Sequence, residues 1–198
     1  METTENRTLF RFVIRFTNKK VILQLIDSNG PSDITMIQVL STDLKHFGIL
    51  CGHSNIPCAY LSGLYFAKLI RLYYQIPDLV TPSEFPFALF IDIDKKKSKE
   101  SQIIKAILRG ATEGGIIDFE ENLGTIEDCF VFGEILSSFM VNSANNQPEI
   151  YAKQFSQYIA NNIDPTTLPD LYHQVHDSIL SLTSIPPFYG IRMKRDSK

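Results

Sequence analysis

Two arginines four residues apart, Arg11 and Arg15, lie in the segment FRFVIRF, where apolar residues alternate strictly. Phe10, Phe12, Ile14 and Phe16 share one face of a strand; Leu9, Arg11, Val13 and Arg15 share the other. Along such a strand the two arginines emerge roughly 13 Å apart, a spacing that can straddle neighbouring phosphates of a nucleic-acid backbone. Thr17, Asn18, Lys19 and Lys20 then break the pattern with turn-tolerant Asn18, and Val21 to Ile26 reads as a second strand. A hairpin with cations on its outer face and at its tip suits phosphate. The same residues also describe an ordinary sheet with a solvated basic face.

A second cationic cluster, Lys95, Lys96, Lys97 and Lys99, follows the pair Asp92 and Asp94. The lysines read as a solvated loop or as a phosphate contact that carries no sequence information. Two carboxylates at the end of a buried strand can hold a divalent cation in a phosphotransfer enzyme. No third carboxylate or histidine stands at an obvious spacing, so the expectation is that nearby lysines neutralise them as surface pairs. Cys51, Cys58 and Cys129 have no C-x-x-C spacing, and a zinc site from them with His53, His173 and His176 is weak; reduced thiols are the simpler reading. There is no P-loop and no serine–histidine–aspartate arrangement. The expectation is therefore a non-enzyme without metal or cofactor.

With 198 residues and 44% hydrophobic content, the chain can build a proper core. No apolar run reaches the length of a bilayer span, and residues 1–20 lack a signal-peptide core, so an intracellular protein is expected. The net charge of −3 hides an asymmetry: residues 1–110 carry +4 and residues 111–198 carry −7. From Ala111 to Ala152 there are eight acids and no Lys or Arg. A polyanion should meet the first half, and the second should face solvent, protein or a cationic partner.

These residues need a scaffold. After the hairpin, residues 27–33 form a loop and Ile34 to Leu40 a third short strand. Lys45 to Asn55 is irregular. Ser54 or Asn55 can cap a helix running to about Tyr74, with Pro57 tolerated in its first turn. Lys68 and Arg71 lie in its last turns and count among the candidate RNA-binding residues, as do His53, Ser54 and Asn55 at a helix N-terminus suited to phosphate. Phe85 to Ile93 is a continuous apolar run, which predicts a central strand. Ser101 to Glu113 is a helix stopped by Gly114-Gly115. Further helices are expected from Glu127 to about Val141, over Glu149–Asn161 and over Asp164–Leu182, with a polar linker at residues 142–148. The fold class is α/β, a mixed sheet with packed helices and a C-terminal helical extension. Residues 1–115 read as an α/β RNA-binding core, and 116–198 as an acidic loop and helical extension packed on it.

Four collinear stretches resemble the eukaryotic and archaeal 5S-rRNA-binding protein of the large ribosomal subunit, universal large-subunit protein eighteen or eukaryotic protein five. They are FRFVIRFTNKKVILQLI at 10–26, HFGILCGHSNIPCAYLSGLYFAKLI at 46–70, FALFIDIDKKKSKESQIIKAILRGATEGG at 87–115 and YAKQFSQYIANNIDPTTLPDLYHQVHDSI at 151–179. The resemblance implies an α/β domain whose ligand is 5S rRNA, placed in the central protuberance. It also implies large-subunit rRNA, neighbouring ribosomal proteins and assembly factors as partners, with no membrane. It implies a cytoplasmic ribosomal location after passage through the nucleus or nucleolus. It puts RNA at Arg11, Arg15, Thr17, Asn18, Lys19 and Lys20, and against the loop with His53, Ser54 and Asn55.

The sequence departs from the family's pattern at both ends. Members begin with a long basic segment and usually end in a basic tail; here nine residues with a single arginine, Arg7, precede Phe10, and the chain stops at Lys198. A shortened ribosomal member is the favoured reading, because the hairpin cations persist. A paralogue with reduced RNA affinity, acting as a protein-interaction module, is the alternative. A phosphotransfer enzyme using Asp92 and Asp94 is third.

Overall fold

Phe12 and Ile14 are fully buried while Arg11 and Arg15 on the opposite face are partly exposed, as the alternation requires. They belong to a computed structural model that describes residues 8–93, 101–117 and 126–189. Strand β1 (Thr8–Phe16) pairs antiparallel with β2 (Val21–Asp27), and β2 pairs antiparallel with β3 (Ile34–Leu40). A 3-10 turn at Ser41–Phe47 leads toward helix α1 (Ile56–Tyr73), and β4 (Phe87–Ile93) then returns parallel to β1. The sheet order is β3-β2-β1-β4.

The strand Phe87–Ile93 is therefore an edge, against the expectation of a central one. The chain passes through α1 as a crossover and adds β4 parallel to β1, at the edge away from β3. Its apolar run has two destinations: Phe87 is buried, whereas Phe90 on the other face is 58% exposed. Continuous hydrophobicity here marks an inner face plus an uncovered outer one.

On the inner face Phe12 stacks on Phe66 of α1 with ring centroids 4.7 Å apart. Helix α1 is buried on nearly every side, because α2 (Gln102–Glu113) and later helices pack against it in turn. Asn55 caps it, accepting a hydrogen bond from the Cys58 N–H at 2.8 Å, with Pro57 in the first turn.

The region expected as one helix from Glu127 to Val141 is two, α3 (Asp128–Val131) and α4 (Glu134–Asn146). The break is at Gly133, whose φ of 79° is left-handed and whose missing Cβ makes room for the Tyr172 ring. Helix α4 also runs through most of the expected polar linker; α5 (Pro148–Gln154) begins after Gln147, which ends α4. Residues 149–161 divide between α5 and α6 (Ser156–Ala160). Asp164 caps a short 3-10 turn that runs into α7 (Leu168–Leu180). Tyr172, Val175 and Ile179 of α7 join the same continuous core as the sheet. Among the described residues no helix is long and apolar enough to cross a membrane.

Buried Tyr189 closes the other edge of the sheet. Its hydroxyl accepts from the Gln38 N–H at 2.8 Å and donates to the Gln38 carbonyl, occupying the free groups of β3. Tyr189→Phe should lose about 1 kcal/mol, or roughly 3 °C of Tm, and speed hydrogen exchange at the Gln38 amide. An unchanged exchange rate at Gln38 would count against this edge cover.

Candidate nucleic-acid interface

The outer face of the sheet is ordered by register. Val13 lies opposite Gln24 on β2 and beside Asp92 on β4, and Gln24 lies opposite Gln38. Asp92 thus sits midway between the two arginines that flank Val13. Its Oδ2 accepts from Arg11 Nη2 at 3.0 Å and from Arg15 Nη2 at 3.3 Å. Arg11 also donates Nη1 to Asp33 at 2.8 Å. The side chains of Arg11, Arg15 and Asp92 are 31%, 38% and 28% exposed. The arginine stems flank Val13, which is only 1% exposed on this face.

Asp92 is paired with the two hairpin arginines, partners that the sequence did not announce; Asp94 and the lysines expected to neutralise it, Lys95, Lys96, Lys97 and Lys99, lie outside the described residues. Burial pushes the Asp92 pKa up, but the hydrogen bonds and charges of Arg15 and Arg11 outweigh it and hold the carboxyl below its ordinary value. The pairing therefore stabilises the fold above the ordinary Asp range and is lost as the pH falls through the lowered value. The patch of two arginines and two aspartates is formally neutral at pH 7. An RNA phosphate that uses these arginines replaces a carboxylate.

The hairpin tip is built by Thr17. Its hydroxyl donates to the Lys20 carbonyl at 3.0 Å and accepts from the Lys19 and Lys20 N–H groups at 3.3 and 3.1 Å. Thr17 thus shapes the turn, while Asn18 and Lys19 are exposed and Lys20 is partly exposed.

Other expected contacts point inward. Arg71 is 5% exposed and donates to the carbonyls of Pro77, Val80, Gly114 and Gly115, with its guanidinium 5.3 Å from the Phe85 ring centre. Lys68 is 8% exposed, its ammonium 3.4 Å from Asp78. Both were expected as RNA-binding cations; burial against protein acceptors removes them from that surface. Arg71→Ala should cost about 3 kcal/mol, because buried carbonyls lose their donors, and should leave the salt dependence of any RNA binding unchanged. A flattened salt slope with normal stability would reverse that assignment.

Asn55 is committed as well: beyond its cap, its amide donates to the Tyr172 hydroxyl at 3.0 Å and the Tyr158 hydroxyl at 3.2 Å. Ser54 beside it is exposed and His53 partly buried, and burial lowers the His53 pKa. Among the described residues no group of three or more His, Cys, Asp or Glu side chains gathers as a metal site.

The sheet and helices α1 and α2 fall within residues 2–118, which match the family model described as ribosomal large subunit proteins 60S L5 and 50S L18. The chain belongs to this ribosomal protein family. It is 28% identical over 211 residues to the large ribosomal subunit protein uL18 of Saccharomyces cerevisiae, an alignment covering 92% of this chain and 71% of the relative. It is 27% identical to uL18 of Dunaliella salina, covering 88% of this chain and 74% of that one. It is also 27% identical to uL18 of Theileria annulata, covering 89% and 68%. In this member of the L5/L18 family a mixed α/β sheet with packed helices is the frame, and the paired arginines of β1 lie on the outer face of that sheet. Sequence reasoning missed Asp33 and Asp92 as their partners, because pairing across strands depends on register.

Proposed function

We propose that this chain is a structural component of the large ribosomal subunit that binds 5S rRNA and helps place it in the central protuberance. Membership of the L5/L18 family supports the ribosomal role. The observation that carries the RNA reading is the open face of β1, where Arg11 and Arg15 stand partly exposed above a tip bearing Asn18, Lys19 and Lys20. His53 is a secondary contact, and Lys95, Lys96, Lys97 and Lys99 complete the proposed cationic set. Neighbouring ribosomal proteins, large-subunit rRNA and assembly factors are the proposed partners, with a nucleolar stage before the cytoplasm.

Because Asp33 and Asp92 offset the two arginines, binding by the isolated chain should be weak, and it should fall further as salt rises, with a slope set by the few cations left to meet phosphate. Titrating the purified chain into 5S rRNA at about 50 mM and about 200 mM salt tests this, with a loss of affinity expected between the two. Absence of binding at the lower salt would overturn direct RNA recognition by the chain on its own. The second reading, a protein-interaction module of reduced RNA affinity, draws on the Lys/Arg-free stretch Ala111–Ala152. Sedimentation decides between them: the chain should travel with large subunits, and a stable complex with a non-ribosomal protein lacking RNA would favour the module.

A further inference from the structure

Away from the sheet, the start of α1, α2, α3 and the outer side of α4 enclose an apolar groove of about 360 Å³. Ile56, Pro57, Ile103, Phe130, Ile135 and Phe139 line it. Helix α4 splits its apolar residues between two faces. Met140 is buried in the core, whereas Ile135 and Phe139, one turn apart, are 47% and 49% exposed. Two large apolar side chains standing half exposed on a groove wall mark a place where another surface packs.

The charge around the groove indicates what that surface is. Glu127 at the N-cap of α3, Glu134 on α4 and Glu149 on the adjoining α5 are exposed, within the stretch of eight acids and no Lys or Arg. The nearby Arg109 is already used, its guanidinium bonded to Asp128 and to the Ile126 carbonyl at 2.6 Å. An RNA backbone would be repelled here. A cationic protein segment would be attracted, and its aliphatic or aromatic side chains would fill the apolar floor.

We infer that this groove docks a lysine- and arginine-rich segment of a neighbouring large-subunit protein, anchored by one or two apolar side chains between Phe130 and Phe139. The partner being a subunit protein rests on the ribosomal reading above. The volume accommodates side-chain anchors rather than a folded element, so the neighbour contributes a tail or a single helix face.

The test uses assembled subunits. Phe139 is replaced by the photoreactive p-benzoylphenylalanine, large subunits containing the chain are isolated by sedimentation, and the cross-linked peptide is sequenced. The expected product joins position 139 to a protein segment of net positive charge with at least one apolar residue. Adding Glu134→Lys should lower the cross-link yield at least fivefold without reducing incorporation. Cross-linking to rRNA, to a second copy, to a neutral or acidic segment, or to nothing in subunits that contain the chain would overturn the groove's assignment alone. Failure of the unsubstituted chain to enter subunits would overturn both this inference and the ribosomal role it rests on.

Discussion

A chain carrying Arg11→Ala and Arg15→Ala should bind 5S rRNA about thirtyfold more weakly near 0.15 M salt, the value of releasing counterions from two phosphates. The slope of log affinity against log salt should fall by about 1.8. The fold should survive, since ion pairs with side chains about a third exposed contribute little to stability. Removing both arginines also leaves Asp92 and Asp33 without their partners, so part of any loss is repulsion. The triple change that adds Asp92→Asn separates the two effects, because it keeps the lost phosphate contacts and deletes one repelling charge. Asp92→Asn alone should work the other way. It frees Arg15 and releases Arg11 from one of its two carboxylates, Asp33 remaining, and affinity should rise about fivefold, the exchange cost of the two weak pairs lost. Filter binding across a salt series measures all three variants. Normal binding by the double variant would make the hairpin a scaffold only. Weaker binding by Asp92→Asn would show that the carboxylate orients the arginines rather than competing for them.

The second large effect lies where α1 meets α2. Gly63 and Gly110 let the two backbones touch: a Cβ on Gly110 would stand 2.1 Å from the Tyr60 carbonyl oxygen, and one on Gly63 2.1 Å from that of Ile107. The obstacle is backbone on both sides, so no rotamer change relieves it. Gly110→Ala must push two buried helices apart, at about 3 kcal/mol, against less than about 1 kcal/mol returned by better helix propensity. The net loss should appear as a fall of roughly 5–10 °C in Tm. It should be accompanied by faster proteolysis, since α1 carries the inner face of the sheet. An unchanged Tm would mean that the helices do not approach as closely as these distances state.

Local pattern carried much of the architecture. Period-two alternation identified β1 and put Arg11 and Arg15 on its outer face, because side-chain direction in a strand is a local property. Asn55 and Pro57 announced the start of α1, since capping needs only the groups within one turn. Ordered motifs along most of the chain pointed to the ribosomal family, and the family match over residues 2–118 agrees. Long-range geometry was another matter. The hydrophobic run Phe85–Ile93 could not declare itself an edge, because strand order follows from where the crossover finds a free neighbour. Lys68 and Arg71 read as surface cations, yet α1 is covered from several directions, and only the assembled core shows which carbonyls wait for a guanidinium. The break at Gly133 depended on Tyr172 from a helix far along the chain. The pairing of Asp92 with both arginines required the parallel register of β1 and β4, which sets Asp92 beside Val13. Residue types and spacing determined which groups could meet a phosphate. The tertiary structure decided which are free to do so, because a charge acts outward only where neither burial nor a neighbouring carboxylate has already claimed it.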